Sequence, residues 1–269
     1  MKSFVKGIWI YLVKEADGVQ QVQRTYPFYS FKGSHRAIGQ QFGEACCELI
    51  KKNVELSMER LVSKVKIDSK AALDEEVLKV RKYVQEYAPF YDEQIQGVAE
   101  GAGISLADAY FIQLRAEVYR YLEKQGDCTS FVILPEATSD GVALIGKNAD
   151  LPPYSLEVGV VIACKPDDMP AYLTVTLAGL VSYEGINEYG MGVTANFLDT
   201  GGWRHGVPRY MFPGIALTQK TTSEAVSAIR RLHRASSRNV MILDQDHHAI
   251  GMELTPTKDA IYEPKNGIM

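Results

Sequence analysis

The chain has 269 residues, 46% hydrophobic and 23% charged, with a formal net charge of −4. That is enough apolar material for one large domain or two closely joined lobes. The slight acidity and the lack of any Lys/Arg block speak against a nucleic-acid partner. Lys51-Lys52 and Arg230-Arg231 read as solvated helix faces. The four cysteines, Cys46, Cys47, Cys128 and Cys164, are too few and too irregular for a disulfide scaffold, and none forms a C-x-x-C pair. No metal or cofactor is therefore expected. Cys46, Cys47 and Cys164 read as core thiols. The apolar run at 8–13 is too short for a signal peptide or a membrane span, which predicts a cytoplasmic protein with no membrane partner.

Residues 7–14 and 19–30 read as strands joined at Asp17-Gly18, a hairpin signal. Ser34 is placed to cap a long helix over 34–63. Gly39 and Gly43 lie four apart on one face of it. Each weakens a helix by about 1 kcal/mol relative to Ala, so close packing against another backbone is the expected compensation. His35 reads as a hydrogen-bonded residue at the helix start. Further helices are expected over 69–87, 89–100 and 105–124, the last opened by the Ser105–Asp108 capping pattern. Tyr83, Tyr87, Phe90, Tyr91, Tyr110, Phe111, Tyr119 and Tyr121 give this helical block an aromatic core.

From Cys128 the apolar period changes to two. Strands are predicted over 128–134, 143–148, 158–164, 172–177, 180–183 and 191–197, with a turn at 185–190. Helices over 208–218 and 222–233 follow, the second capped by Thr222 or Ser223. Strands at 239–243, 249–254 and 260–262 complete the pattern. Helices, then strands, then helices and strands again predict an α+β protein with helices packed on antiparallel sheet.

Cys128 sits at the seam between the helical block and the strands, in the run Asp127-Cys128-Thr129-Ser130. A thiol is a poor nucleophile while protonated, with a reference pKa of about 8.5. No histidine is an evident sequence partner. If the Asp127–Cys128 bond is cut, the new α-amino group, with a reference pKa near 7.7–8, can serve as the base on the same residue. The cut itself follows from attack of Cys128 on the preceding carbonyl, an N→S acyl shift. A hairpin would bring Gly146-Lys147-Asn148-Ala149-Asp150 beside Cys128. Asp150 would then orient the α-ammonium, and Lys147 would favour the thiolate. A plain strand-end turn with exposed polar residues explains the same run. In Thr194-Ala195-Asn196, the Asn196 backbone N–H or side-chain amide is a candidate oxyanion donor, or a structural Asn closing a strand.

These motifs fall in a specific order. Gly-Ser-His-Arg-x-x-Gly-x-Gln-x-Gly at 33–43 is followed by the run at 99–105 and the Asp127-Cys128-Thr129-Ser130 junction. Then come 146–150, Asn187-Glu188-x-Gly190 and Ala235-Ser236-Ser237. In this order they resemble the acyl-coenzyme A:6-aminopenicillanic acid acyltransferase family, peptidase family C45, over roughly residues 30–269. That family is similar to the choloylglycine hydrolases, and both are N-terminal-nucleophile hydrolases. The resemblance implies a four-layer αββα fold and self-cleavage at Asp127/Cys128. It implies an α chain of 1–127 and a β chain of 128–269 within one integrated domain. It also implies attack of Cys128 on a linear amide or thioester of a small-molecule substrate, through an acyl-enzyme. By the same likeness Asp150 matches the aspartate near the nucleophile's amine, and Asn196 the backbone oxyanion donor. Lys147, with Asn148 beside it, stands where choloylglycine hydrolases carry Arg.

Three departures accompany this likeness. Asp127 replaces Gly before the cysteine, Lys147 replaces Arg, and relatives continue past Met269 into a Thr-Asn segment that supplies the second oxyanion donor. The loss of one such donor costs about 10²–10³ in turnover. An uncovered sheet edge would favour self-association into a homo-oligomer. The competing expectation is an unprocessed or inactive relative acting as a binding scaffold. A papain-type Cys/His protease fits less well, because the Trp and Gly around such a cysteine are absent.

Overall fold

The computed structural model describes residues 26–63, 66–118 and 128–269. The predicted strand at 7–14, the Asp17-Gly18 turn, Tyr119, Tyr121 and Asp127 lie outside the described residues. Strand β1 (Phe28–Gly33) leads into α1 (His35–Ala45), α2 (Cys47–Val62), α3 (Lys70–Leu78), α4 (Arg81–Tyr87), α5 (Pro89–Ala102) and α6 (Leu106–Val118). A hairpin follows, β2 (Thr129–Ile133) and β3 (Leu144–Asn148), then β4 (Gly159–Pro166), β5 (Tyr172–Leu177), β6 (Glu184–Asn187) and β7 (Gly192–Phe197). Helices α7 (Met211–Leu217) and α8 (Thr222–Arg230) precede β8 (Arg238–Leu243), β9 (Ala249–Leu254) and β10 (Asp259–Tyr262). This is the expected α+β arrangement, a helical segment followed by a large sheet.

Ser34 caps α1 as predicted, its side chain accepting from the Ala37 N–H. Two helices are shorter than predicted. The one expected over 34–63 is divided at Cys46, which leaves helical geometry at φ −116°, ψ 19°. The one expected over 69–87 is divided between Leu78 and Arg81. No Gly or Pro marks either break. The cap of α8 is Thr221 rather than Thr222 or Ser223, with Glu224 completing a capping box. Thr222 instead gives its N–H and hydroxyl to Asp244.

The close approach expected of Gly39 and Gly43 is to α5, which answers with Gly97 and Gly101. A Cβ on Gly39 would lie 2.0 Å from the Gln94 carbonyl oxygen, and one on Gly97 would lie 2.2 Å from that of Arg36. The two helices therefore pack backbone to backbone. Asp92 of α5 then ties three helices together. It accepts from Arg81 Nε at 2.8 Å, from Gln85 at 3.1 Å and from the Tyr110 hydroxyl at 2.6 Å.

The large sheet runs β1-β4-β5-β6-β7-β8-β9-β10, antiparallel except for β1, which pairs parallel with β4. Its two faces carry different cores because side chains alternate. Val193, Ala195, Val240 and Ile242 join the main core with the helices. Met241, Leu243 and Ala249 turn the other way and pack on Val132 of the hairpin. The described layers thus run helix, sheet, hairpin.

The apolar stretch 180–183 is not a strand. Its backbone groups are served individually: the Val181 N–H donates to Gln113, and the Leu180 carbonyl accepts from Thr176. It is apolar because it is buried, not because it pairs. The next strand is Glu184–Asn187, which overlaps the start of the turn predicted over 185–190. Asn187 closes the following turn, accepting from the Tyr189 and Met191 N–H groups.

Candidate active site

Cys128 is half-buried and stands one residue ahead of β2. The β2–β3 register pairs Thr129 with Asn148 and Ser130 with Lys147, so the hairpin sets the 146–150 run beside the cysteine. The hairpin's open end lies over the ends of β7 and β8, where Asn196 and Asn239 face each other in register.

Lys147 is not the exposed turn residue that one sequence reading allowed. Its side chain is 7% exposed and forms an ion pair with Glu184, while also donating to the Ala195 carbonyl. Arg238, 4% exposed, reaches the same Glu184 oxygen at 3.2 Å. Two buried cations thus share one buried carboxylate, leaving a local positive excess. Burial opposes the charge on Lys147 most strongly, but Glu184, Tyr183 and, more weakly, Cys128 outweigh it and hold the ammonium above its ordinary range. Arg238 is likewise held up against burial by Tyr183, Glu184, Tyr210 and Cys128. Both cations therefore lie within electrostatic reach of the Cys128 thiol.

Asn196 is half-buried and its side chain is engaged at both ends. The Ser130 hydroxyl donates to its Oδ1 at 2.8 Å, and its Nδ2 donates to Asn239 Oδ1 at 3.2 Å. Asn239 in turn donates to the Tyr262 hydroxyl at 2.7 Å. This relay fixes the start of β2 to the sheet. Asn148 ends β3, and Asp150 follows it, both exposed. Asp127 lies outside the described residues.

Other residues of the resemblance are placed in the scaffold. His35 is buried between Asp168, at 2.9 Å, and Gln94, at 3.1 Å. Ser236 donates to Glu117 at 2.7 Å, and Ser237 shares a 2.5 Å hydrogen bond with Thr200. Burial pushes the thiol pKa values of Cys46 and Cys164 up to about 11 and about 12, as fits core thiols. Cys47 is only half-buried, with its sulfur 3.4 Å from the Ala102 carbonyl oxygen. Asp244, Asp246 and His248 bring three ligand-type atoms within 4.8 Å of one another. Asp244 is already taken up by Thr222 and by the His248 N–H, so this is a loop anchor.

Sequence reasoning missed Glu184, Arg238, Ser130 and Asn239. The signal for Arg238 was present: a charged residue heading the otherwise apolar run 240–243. Glu184 was concealed by the misassigned strand before it.

The fold and site define an α+β protein with a thiol at the head of the first strand after a helical block. Residues 137–269 match the model of the acyl-coenzyme A:6-aminopenicillanic acid acyl-transferase family, so the C-terminal part of the chain is similar to that family. The chain is 26% identical over 227 residues to the acyl-coenzyme A:6-aminopenicillanic-acid-acyltransferase 40 kDa form of Emericella nidulans. That alignment covers 84% of this chain and 62% of the relative, so the chain spans less than two thirds of the relative's length. Among solved structures, a conjugated bile acid hydrolase from Clostridium perfringens matches at 17% identity and a TM-score of 0.39, over 52% of each chain. Penicillin V acylase from Agrobacterium tumefaciens matches at 12% identity and a TM-score of 0.30, over 53% of this chain and 43% of its own.

Proposed function

We propose that this chain is the precursor of a cysteine N-terminal-nucleophile amidase or acyltransferase. Scission between Asp127 and Cys128 gives an α chain of 1–127 and a β chain of 128–269. The freed α-amine takes the thiol proton, directly or through a water. The thiolate attacks the carbonyl of a linear amide or thioester, and the leaving amine or thiol departs with a proton from the α-ammonium. Water or an acceptor amine then releases the acyl group from Cys128. Asp150 orients the α-ammonium, and the Asn196 N–H stabilises the oxyanion. Lys147 supplies positive charge beside the sulfur, and Asn148 supports the hairpin at its open end.

The observation that carries this reading is the position of Cys128. It is half-buried at a strand head, with Lys147 and Arg238 within electrostatic reach. The match of residues 137–269 to an acyl-transferase family supports the same chemistry. N-terminal sequencing and intact-mass measurement of the purified protein test it. Two chains beginning at Met1 and Cys128 are expected, with Cys128→Ala remaining one chain and losing amide turnover. A wild-type chain that stays whole, with Cys128→Ala equally active, would sink the proposal and leave a binding scaffold.

A further inference from the structure

The charges gathered beside Cys128 do not balance. Strand β6 pairs with β7 only at Gly185 with Val193 and Ile186 with Gly192, whereas β7 pairs with β8 from Gly192 to Phe197. Past Val193, side chains take the place of a strand on that side of β7. The Ala195 carbonyl accepts from Lys147 and, at 3.4 Å, from Arg238 Nη2. The same two cations share Glu184 Oε1. Arg238 Nε has no hydrogen-bond partner. One buried carboxylate thus answers two buried cations, and a buried cation without its counter-charge is strongly destabilising.

The groups acting most strongly on Arg238 are Tyr183, Glu184, Tyr210 and Cys128, and those on Lys147 are Glu184, Tyr183, Arg238 and Cys128. Burial raises the pKa of Tyr183, although Lys147 and Arg238 oppose this. Arg209, ahead of α7, is close enough to repel Arg238, and Glu117 of α6 draws on Arg209. Asp150, past the end of β3, is exposed. Of the neutral groups here the thiol gives up its proton most readily, with a reference pKa of about 8.5 against about 10 for a phenol. The register also brings it close. Cys128 precedes β2, Ser130 pairs with Lys147, and Ser130 bonds to Asn196, whose neighbour Phe197 pairs with Arg238.

We propose that the Cys128 thiolate is the missing counter-ion, held ionised by Lys147 and Arg238 together in the uncut chain as well as after scission, with Glu184 setting the balance. Arg238 acts through the sulfur and touches no substrate, so it is a positioning residue. The inference rests on the reading of Cys128 as nucleophile and deepens it. The α-amine exists only after scission and cannot ionise the thiol that makes the cut, whereas the cation pair is present beforehand. Ionisation releases the thiol proton to solvent. The sulfur then bonds to the Asp127 carbonyl carbon, the C–N bond breaks, and the nitrogen leaves with a proton from solvent. Water hydrolyses the resulting thioester.

The pH profile of Cys128 alkylation by iodoacetamide tests this, read by peptide mapping of the purified protein, with intact mass recording whether the chain is cut. Arg238→Gln removes a cation, and the pH of half-maximal rate is expected to rise by about one unit. Glu184→Gln removes the anion and is expected to lower it. A merely structural role would move both variants the same way, and that result would overturn the proposal, as would an Arg238→Gln profile identical to the wild type. Should Glu184→Gln not fold, Arg238→Lys keeps the charge and is expected to restore the wild-type profile. An Arg238→Lys profile like that of Arg238→Gln would overturn the proposal. Opposite shifts in a chain that is never cut and turns over no amide would leave this charge cluster standing and remove the reading of Cys128 as nucleophile.

Discussion

Glu184 is the residue on which the charge balance of the site turns. It is the carboxylate shared by Lys147 and Arg238, and all three side chains are 10% exposed or less. Glu184→Ala leaves two buried cations facing each other, and the expected loss is about 3–5 kcal/mol of stability in urea denaturation. Lys147→Met should cost less, because Arg238 still pairs with Glu184. The cysteines form a second residue-scale contrast. Iodoacetamide at neutral pH should modify Cys128 and Cys47 well before Cys46 and Cys164, whose burial keeps them protonated. Peptide mapping by mass spectrometry reads the order. Rapid labelling of Cys164 would show that the core opens where it is described as closed. The candidate site was legible in the sequence where a residue type announces chemistry: Cys128, and the 146–150 run that a hairpin returns to it. Glu184 was not legible, and Arg238 only as a charge ahead of an apolar run, because a buried charge shows its meaning only once its partners are known.

Elements were read well where the sequence supplies a physical signal. Gly39 and Gly43 foretold a backbone contact, and α5 supplies it. Gly97→Ala should cost about 3 kcal/mol or more, because its Cβ would lie 2.2 Å from the Arg36 carbonyl and the helices must separate. Thermal unfolding measures this, and a loss below about 1 kcal/mol would mean that the two helices are not held as described. The breaks at Cys46 and near Val80 carried no Gly or Pro and so were invisible. The stretch 180–183 imitated a strand because burial alone makes a sequence apolar. Asp92, whose bonds join α4, α5 and α6, gives a pH prediction at this scale. Burial would raise its pKa, but Arg81, Tyr110 and Gln85 together hold it below the ordinary aspartate value. A lowered value in the fold means that its contribution is full above about pH 4 and fades as pH falls through the folded value. Asp92→Asn should therefore cost about 2–3 kcal/mol at pH 7, and this gap to the wild type should narrow below pH 4. A gap that is constant across the acid range would contradict this.

At the scale of the whole molecule, the described layers follow the α+β expectation, and the hairpin that presents Cys128 is held from two sides. Val132 packs on Met241, Leu243 and Ala249, and its N–H and carbonyl bond to the carbonyl and N–H of Met269 at 2.7 and 2.9 Å. Removing residues 265–269 should free this hairpin, seen as faster amide exchange at Val132 and Leu134 with the exchange of β8 little changed. Protection at Val132 that survives the deletion would count against the contact.

The parallel placement of β1 beside β4 has a consequence for a molecule nicked after residue 127. Strand β1 and helices α1–α6 belong to one piece, while β4 and the rest of the sheet belong to the other, so the pieces are interleaved, not docked. They should co-elute on a sizing column and part only in denaturant. Once parted they must find each other by diffusion, so recovery of the nicked form should rise with protein concentration while the uncut precursor renatures independently of it. Scission would thus make unfolding, in dilute solution, a one-way event.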